Sequence, residues 1–190
     1  MQAAGNITVA LALFHQWLTD AEHAGIVEPS AMALATATKT KSPSVRMVLL
    51  KQFDDRGFTF YTNLSSRKAS EIVENPYVAL LFSWPELDRK VHVAGRAEPV
   101  DASEADAYFA SRPLLSRIGA WASRQSRPLP NRFVLLWRIA QFATKAASGQ
   151  LTRPIFWSGF RVVPNEIRFQ NNRDLQIFSS PLAVMEAQQE

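Results

Sequence analysis

The sequence predicts a mainly β fold with peripheral helices, organised around a largely antiparallel sheet or small barrel. Two observations carry that prediction. Four or five short apolar segments with strand character crowd into residues 32–100, leaving no room for the crossover helices of a doubly wound sheet. Helical patterns punctuate the strands instead of following each of them. At 190 residues, the chain is long enough to bury a substantial core in one compact domain.

Residues 8–20, TVALALFHQWLTD, carry a mixed apolar helical pattern, and AEHAGIVEPS reads as a connection into the first strand segment, MALATATK. RMVLLK (46–51) and GFTFYTN (57–63) flank QFDDR, whose Asp55 and Arg56 with Gly57 favour a turn, so the two are expected to pair as a hairpin. PYVALLFSW (76–84) and KVHVAGRAEPV (90–100) supply two more strands. Ser65 or Ser66 is placed to cap a short helix through ASEIVEN, with Ala69, Ile72 and Val73 facing inward. Ser103 and Asp106 resemble a capping arrangement ahead of Tyr108. Residues 133–147 have the pattern of a longer amphipathic helix, and WSGFRVVPNEIRFQ (157–170) reads as a late strand pair.

Composition narrows the function. The chain is 47% hydrophobic and 20% charged, with five Trp and twelve Phe, which argues against disorder throughout. Its net charge of +4 favours anionic partners, yet the basic residues are spread along the chain and interrupted by acids, which is not a nucleic-acid footprint. The absence of cysteine excludes disulfides, thiolate catalysis and thiolate metal sites, and suits a cytoplasmic protein. No secretory leader is evident, and no apolar run reaches the roughly 18 residues that a membrane span requires.

RMVLLK begins and ends in a cation. Both can be edge charges whose stems cover apolar surface, or both can face an anion. Fully extended, the stretch spans about 17 Å, and Arg46 and Lys51 have opposite strand parity. One ligand meets both only if a bend, an edge or a neighbouring strand helps. In SSRK, Arg67 and Lys68 fall in the first turn of a predicted helix, where the macrodipole disfavours cations and favours phosphate; the alternative is a solvated helix start. YFASRPLLS places Tyr108, Arg112 and Ser116 at four-residue intervals, near one helical face, although Pro113 starts a new turn. Phenol, guanidinium and hydroxyl all suit phosphate oxygens, though ordinary capping and surface packing explain the isolated pattern better. Gln125 and Ser126 form a polar pair, while Trp121 reads as packing. His15, His23 and His92 read as structural, and no carboxylate spacing makes a metal or general-base site.

In their order, RMVLLK, YTNLSSRK, YFASRPLLS, IGAWASRQS and FWSGFRVVPNEIRF closely resemble the pyridoxamine 5′-phosphate oxidase family, across roughly residues 30–170. The resemblance implies a dimeric, FMN-binding split β-barrel. On that basis the chain is one domain, 1–190, with residues 1–29 a helical N-terminal extension and 171–190 an atypical tail. It implies FMN contacts from Arg46, Met47, Val48, Leu49, Leu50 and Lys51, from Tyr61, Thr62, Arg67 and Lys68, and from Gln125 and Ser126 of the partner subunit. Lys51, Tyr108, Arg112 and Ser116 would hold the substrate phosphate. The implied reaction oxidises pyridoxamine or pyridoxine 5′-phosphate to pyridoxal 5′-phosphate, with oxygen as acceptor and hydrogen peroxide as product.

Two departures stand out. Lys90 occupies a position where the family usually has an FMN-contacting Gln, which exchanges a donor and acceptor for a donor alone. Gln170 stands where a Trp is usual, and Gln176, Phe178 and Ser180 replace the Arg, His and final Arg of the usual Arg-Leu-His-Asp-Arg motif. The alternatives these departures raise are a related flavin oxidoreductase with another substrate, or a noncatalytic FMN- or pyridoxal-phosphate-binding paralogue.

Overall fold

The computed structural model describes residues 6–122, 142 and 151–179, and divides the chain into two compact units. The first comprises Met1–Phe60, Glu71–Glu98 and Phe160–Glu190, the second Tyr61–Ser70 and Pro99–Gly159. Helix α1 (Ile7–His23) begins the first unit. Asn6 caps it by accepting from the Thr8 N–H at 3.0 Å. Its buried residues, Ala10, Leu11, Phe14, Trp17 and Ala21, recur at helical spacing and form one stripe. Phe14 is fully buried, with the rings of Phe53, Phe58 and Phe82 edge-on to it at 5.0, 4.9 and 4.8 Å. The predicted helix is therefore three residues longer at its C-terminus than the pattern 8–20 implied, and its apolar stripe is part of the core.

Eight strands form one sheet: β1 (Ala31–Ala37), β2 (Pro43–Leu49), β3 (Gln52–Asp54), β4 (Gly57–Asn63), β5 (Tyr77–Trp84), β6 (Arg89–Pro99), β7 (Trp157–Asn171) and β8 (Leu175–Ser179). Their order is β2-β1-β5-β6-β7-β4-β3, with β8 pairing β7. The pairs β1–β2, β1–β5, β5–β6, β3–β4 and β7–β8 are antiparallel. This arrangement, together with the α-helices among the described residues, matches the split β-barrel class.

Four local expectations need correction. Arg46–Leu49 of RMVLLK do not pair with GFTFYTN; they belong to β2, which pairs with β1 across seven residues, from Ala31 opposite Leu49 to Ala37 opposite Pro43. The connecting turn carries its positive φ of 65° on Lys41, with no Gly or Asn to announce it. The predicted turn at Asp55 and Arg56 exists, but it joins β3 to β4. The late strand pair is one continuous strand, β7, whose partner is β8 from the tail. In α2 (Arg67–Glu74), Ala69 and Ile72 are buried, but Val73 is 78% exposed and Glu71 is buried in its place. Finally, α3 (Ala102–Ser111) starts after Asp101, so Ser103 lies within the helix and not at its cap. The helix predicted over 133–147 lies outside the described residues, residue 142 excepted.

Backbone clearance explains why β7 continues through Pro164. It runs between β6 and β4, and both neighbours present glycine there. A Cβ on Gly57 would lie 2.1 Å from the Val162 carbonyl oxygen, and one on Gly95 would lie 2.2 Å from that of Val163. Gly57 also holds φ at +133°, a conformation that L side chains rarely adopt. Gly57→Ala should therefore lower unfolding free energy by about 3 kcal/mol, combining backbone strain with overpacking. A shift of the urea midpoint without change in slope would show it.

His92 lies on β6 opposite Leu81, and its Nδ1 is buried without a hydrogen-bond partner among the described residues. Burial pushes its pKa below the ordinary imidazole value; the nearby Arg168 adds to this and Glu166 opposes it. The folded chain therefore binds fewer protons than the unfolded one as pH falls below about 6.5, and stability present above that pH is lost on the way down to the folded pKa. His92→Gln should lose less stability than the parent protein between about pH 7.5 and 5.5, measured by urea unfolding at each pH.

Candidate functional site

In the second unit, β4 ends in Tyr61 and Thr62, and the chain turns through Asn63, whose side-chain oxygen accepts from the Ser65 N–H at 2.7 Å. Ser66 immediately precedes α2, and its carbonyl accepts from the Ala69 and Ser70 N–H groups. The Lys68 ammonium lies 3.3 Å from Thr62 Oγ1 and 3.4 Å from Ser66 Oγ. Both hydroxyl residues are buried, while Arg67, on the same first turn, is exposed. Two hydroxyls, an ammonium and the amides of a helix start thus share one place, a donor set that suits a phosphate.

Tyr108, Arg112 and Ser116 are divided between two helices. Tyr108 belongs to α3, Arg112 is the extended residue after it, and Ser116 is in the first turn of α4 (Leu114–Ala122). Pro113 does start a new turn, since its carbonyl accepts from the Arg117 N–H. Arg112 and Ser116 line a cavity of about 290 Å³ together with Asn63, Gly119, Ala120, Phe156 and Trp157. Tyr108 stacks on Tyr61 with centroids 4.0 Å apart and planes 10° from parallel. Tyr61 in turn lies parallel to Trp157 at 5.1 Å.

The Arg112 guanidinium lies over Trp157, 4.8 Å from the ring centroid, and its Nη1 is buried with no acceptor among the described residues. A buried, unmatched cationic donor at a cavity wall is a group that an anion would satisfy. Burial pushes the Arg112 pKa down and the Tyr108 pKa up. Neither change alters the working state: the guanidinium remains charged and the phenol neutral at physiological pH.

The first unit holds Arg46, Lys51 and Lys90. β2 ends at Leu49; the Leu50 N–H donates to the Ser30 carbonyl, just before β1, and the next N–H, of Lys51, donates to Thr59 on β4. This change of partner lies between the two cations, so their parity in a single strand does not constrain them. Met47 is exposed, Val48 and Leu49 are partly so, and Leu50 is buried.

Arg46 faces a buried carboxylate. Its Nη2 donates to Glu71 at 3.0 Å and to Ser44 Oγ at 2.5 Å, and its Nη1 to Thr36 Oγ1 at 2.6 Å and the Leu34 carbonyl at 3.2 Å. Thr36 and Ser44 also donate to Glu71, at 2.5 and 2.6 Å. Sequence reasoning missed Glu71, because nothing in its position on α2 set it apart from a solvated helix charge; its burial follows from the distant Thr36, Ser44 and Arg46 that meet it. It likewise missed Trp157, which gave no sign that set it apart from a packing aromatic. Lys90 and Gln170 line one polar cavity of about 190 Å³ with Asp88, Asn171 and Asn172. Phe178 packs edge-on against Phe169, 5.7 Å between centroids. Gln125, Ser126 and Ser180 lie outside the described residues. Among the described residues no cluster of His, Asp and Glu could hold a metal, and no helix is long and apolar enough to cross a membrane.

Comparison with known proteins gives a consistent answer. The family model for pyridoxamine 5′-phosphate oxidase matches residues 18–146. The chain is 52% identical over 166 residues to a pyridoxine/pyridoxamine 5′-phosphate oxidase of Gluconobacter oxydans (strain 621H), covering 87% of this chain and 83% of that one. It is 51% identical over 166 residues to the protein so named from Bartonella quintana (strain Toulouse), covering 87% and 80%. Among solved structures it is similar to PhzG from Burkholderia lata 383 in complex with tetrahydrophenazine-1-carboxylic acid, with a TM-score of 0.79 and 30% identity over 90% of this chain and 91% of that one. A pyridoxamine 5′-phosphate oxidase-related, FMN binding protein from Nostoc punctiforme PCC 73102 shares the fold, with a TM-score of 0.64 at 16% identity over 85% and 86% of the two chains.

The Glu71 cluster yields a direct test of its weight. Glu71→Ala leaves Arg46 in place with its carboxylate gone, and should cost about 3 kcal/mol of stability in the apoprotein. Adding Arg46→Met should recover part of that loss, because the guanidinium is then not left without its carboxylate; a double-mutant cycle in urea measures both.

Proposed function

Because the chain belongs to the pyridoxamine 5′-phosphate oxidase family, we propose that it binds FMN and oxidises pyridoxine or pyridoxamine 5′-phosphate to pyridoxal 5′-phosphate. Oxygen is the terminal acceptor and hydrogen peroxide the product. The observation that carries the reading is Arg112: a cation at the cavity wall, with a buried Nη1 that lacks an acceptor. The relatives at 50% identity or more bear the name of this activity.

Lys68, Thr62 and Ser66 supply donors suited to the FMN phosphate, with Tyr61, Arg67 and the stretch Arg46–Lys51 as further FMN contacts. Gln125 and Ser126 of a partner subunit, and Lys90, complete the proposed set. FMN, when bound, supplies the two-electron chemistry and passes the electrons to oxygen. The chain's own work is to bind and orient. Arg112 and Ser116, with Tyr108 and Lys51, hold the substrate phosphate and thereby fix the distance of the reacting carbon from the flavin. The neutral Tyr108 phenol can donate to a phosphate oxygen without adding negative charge beside it.

A homodimer with FMN sites at the subunit interface is part of the proposal. One sheet face of the first unit supports it: Met47, Ala33 and Leu81 form one row in register, and Val45, Ala35 and Ala79 the next. Val45 is 69% and Met47 65% exposed, an apolar face that a second copy would cover. The absence of cysteine supports a cytoplasmic setting.

A second reading, a related flavin oxidoreductase with another substrate, is favoured by the tail. Phe178 stands where the resemblance expects His, and packs against Phe169. PhzG, similar at 30% identity, is seen in complex with tetrahydrophenazine-1-carboxylic acid. One experiment separates the readings. After FMN reconstitution and desalting, the protein should retain flavin absorbance that bleaches on anaerobic addition of pyridoxine 5′-phosphate, and stays unbleached with unphosphorylated pyridoxine. Retained flavin that remains oxidised with saturating pyridoxine 5′-phosphate rejects the vitamin B6 reaction.

A further inference from the structure

We propose that Trp157 is a positioning residue for substrate phosphate: its indole face, in place of an acidic side chain, orients the guanidinium of Arg112. The inference rests on the reading that Arg112 meets the phosphate. An arginine at an anion site needs an orienting partner, because its long side chain otherwise loses rotamer freedom on each binding event. A carboxylate would orient it but would also neutralise much of its charge. Arg112 makes no ion pair among the described residues. Its partners are rings, Trp157 at 4.8 Å and Phe109 at 5.9 Å from the centroid. Attraction to a ring face leaves the in-plane N–H edges and the full positive charge available to a ligand.

Trp157 is itself immobilised. Its backbone N–H donates to the Pro154 carbonyl at 3.0 Å, and its backbone carbonyl accepts from Arg153 Nη1 at 2.7 Å. Arg153 is held by Asp106 on α3 at 2.6 Å, and Phe109 of the same helix meets the indole edge-on at 5.2 Å. Tyr61 lies parallel to the indole within 5°. The helix that ends at Arg112 therefore also fixes the ring on which Arg112 rests, so the two halves of the contact are located by the same element.

The role predicts an effect on phosphate recognition more than on chemistry. In FMN-loaded Trp157→Leu, the Kd for inorganic phosphate measured by calorimetry should rise roughly three- to thirtyfold. KM for pyridoxine 5′-phosphate should rise in proportion, with kcat and retained FMN within about twofold of the parent. Trp157→Phe, which keeps a smaller ring face, should fall between the two. An unchanged phosphate Kd in Trp157→Leu overturns the inference, as does equal loss of phosphate affinity and FMN in both variants, which would mark a general packing role. A parent protein that binds no phosphate overturns it too. Phosphate binding that depends on Trp157 in a protein without turnover supports it and rejects the oxidase reading alone.

Discussion

The long strand β7 depends on an absence of side chains. Its backbone at Val162 and Val163 approaches Gly57 on β4 and Gly95 on β6 so closely that a single Cβ on either would overlap a carbonyl oxygen. Pro164 adds to the constraint, because it brings no N–H to the ladder and tolerates few neighbours. With both glycines in place, one strand continues from Trp157 to Asn171. Its first residue is the ring beneath Arg112, and its last residues carry β8 and line the cavity of Lys90. The course of that strand past its neighbours thus depends on two positions that carry no Cβ.

Two arginines show how the same side chain is put to different work. Arg46 is committed to a carboxylate that is almost wholly removed from water, and the hydroxyls of Thr36 and Ser44 complete that carboxylate's hydrogen bonding. Such a group stitches β1, β2 and α2 together, since each supplies a member that would be costly to leave unmatched. Arg112 makes no such ion pair among the described residues. It rests on aromatic faces, which leave its positive charge unneutralised. An FMN contact from Arg46 would therefore have to be made by a guanidinium already anchored, which favours rigidity over reach.

The tail is ordered where it is described, despite its departure from the family pattern. Leu175–Ser179 pairs with β7, and Phe178 adds its ring to Phe169, which Trp17 meets from α1. Packing thus explains Phe178 without any catalytic role. Lys90 and Gln170, which stand where the resemblance expects Gln and Trp, line the same cavity. A change at one alters the polarity that the other meets.

Much of this was legible in the chain. Alternating apolar residues marked β1, β4, β5 and β6, the helical stripe marked α1, and Asp55, Arg56 and Gly57 marked a turn, because each signal is local and arises from backbone geometry or from one buried face. The order of RMVLLK, SSRK and YFASRPLLS pointed to phosphate and to the family, since donors for an anion must be charged or polar whatever their surroundings. Strand partners were not legible: β2 carries the same alternation whether it pairs with β1 or β4, and a turn through Lys41 has no residue type that declares it. Tertiary structure alone decided that Glu71 would be buried against Arg46, that β7 would pass two glycines unbroken, and that Trp157 would lie under Arg112. Those outcomes depend on which distant segments meet, and residue type by itself does not encode that choice.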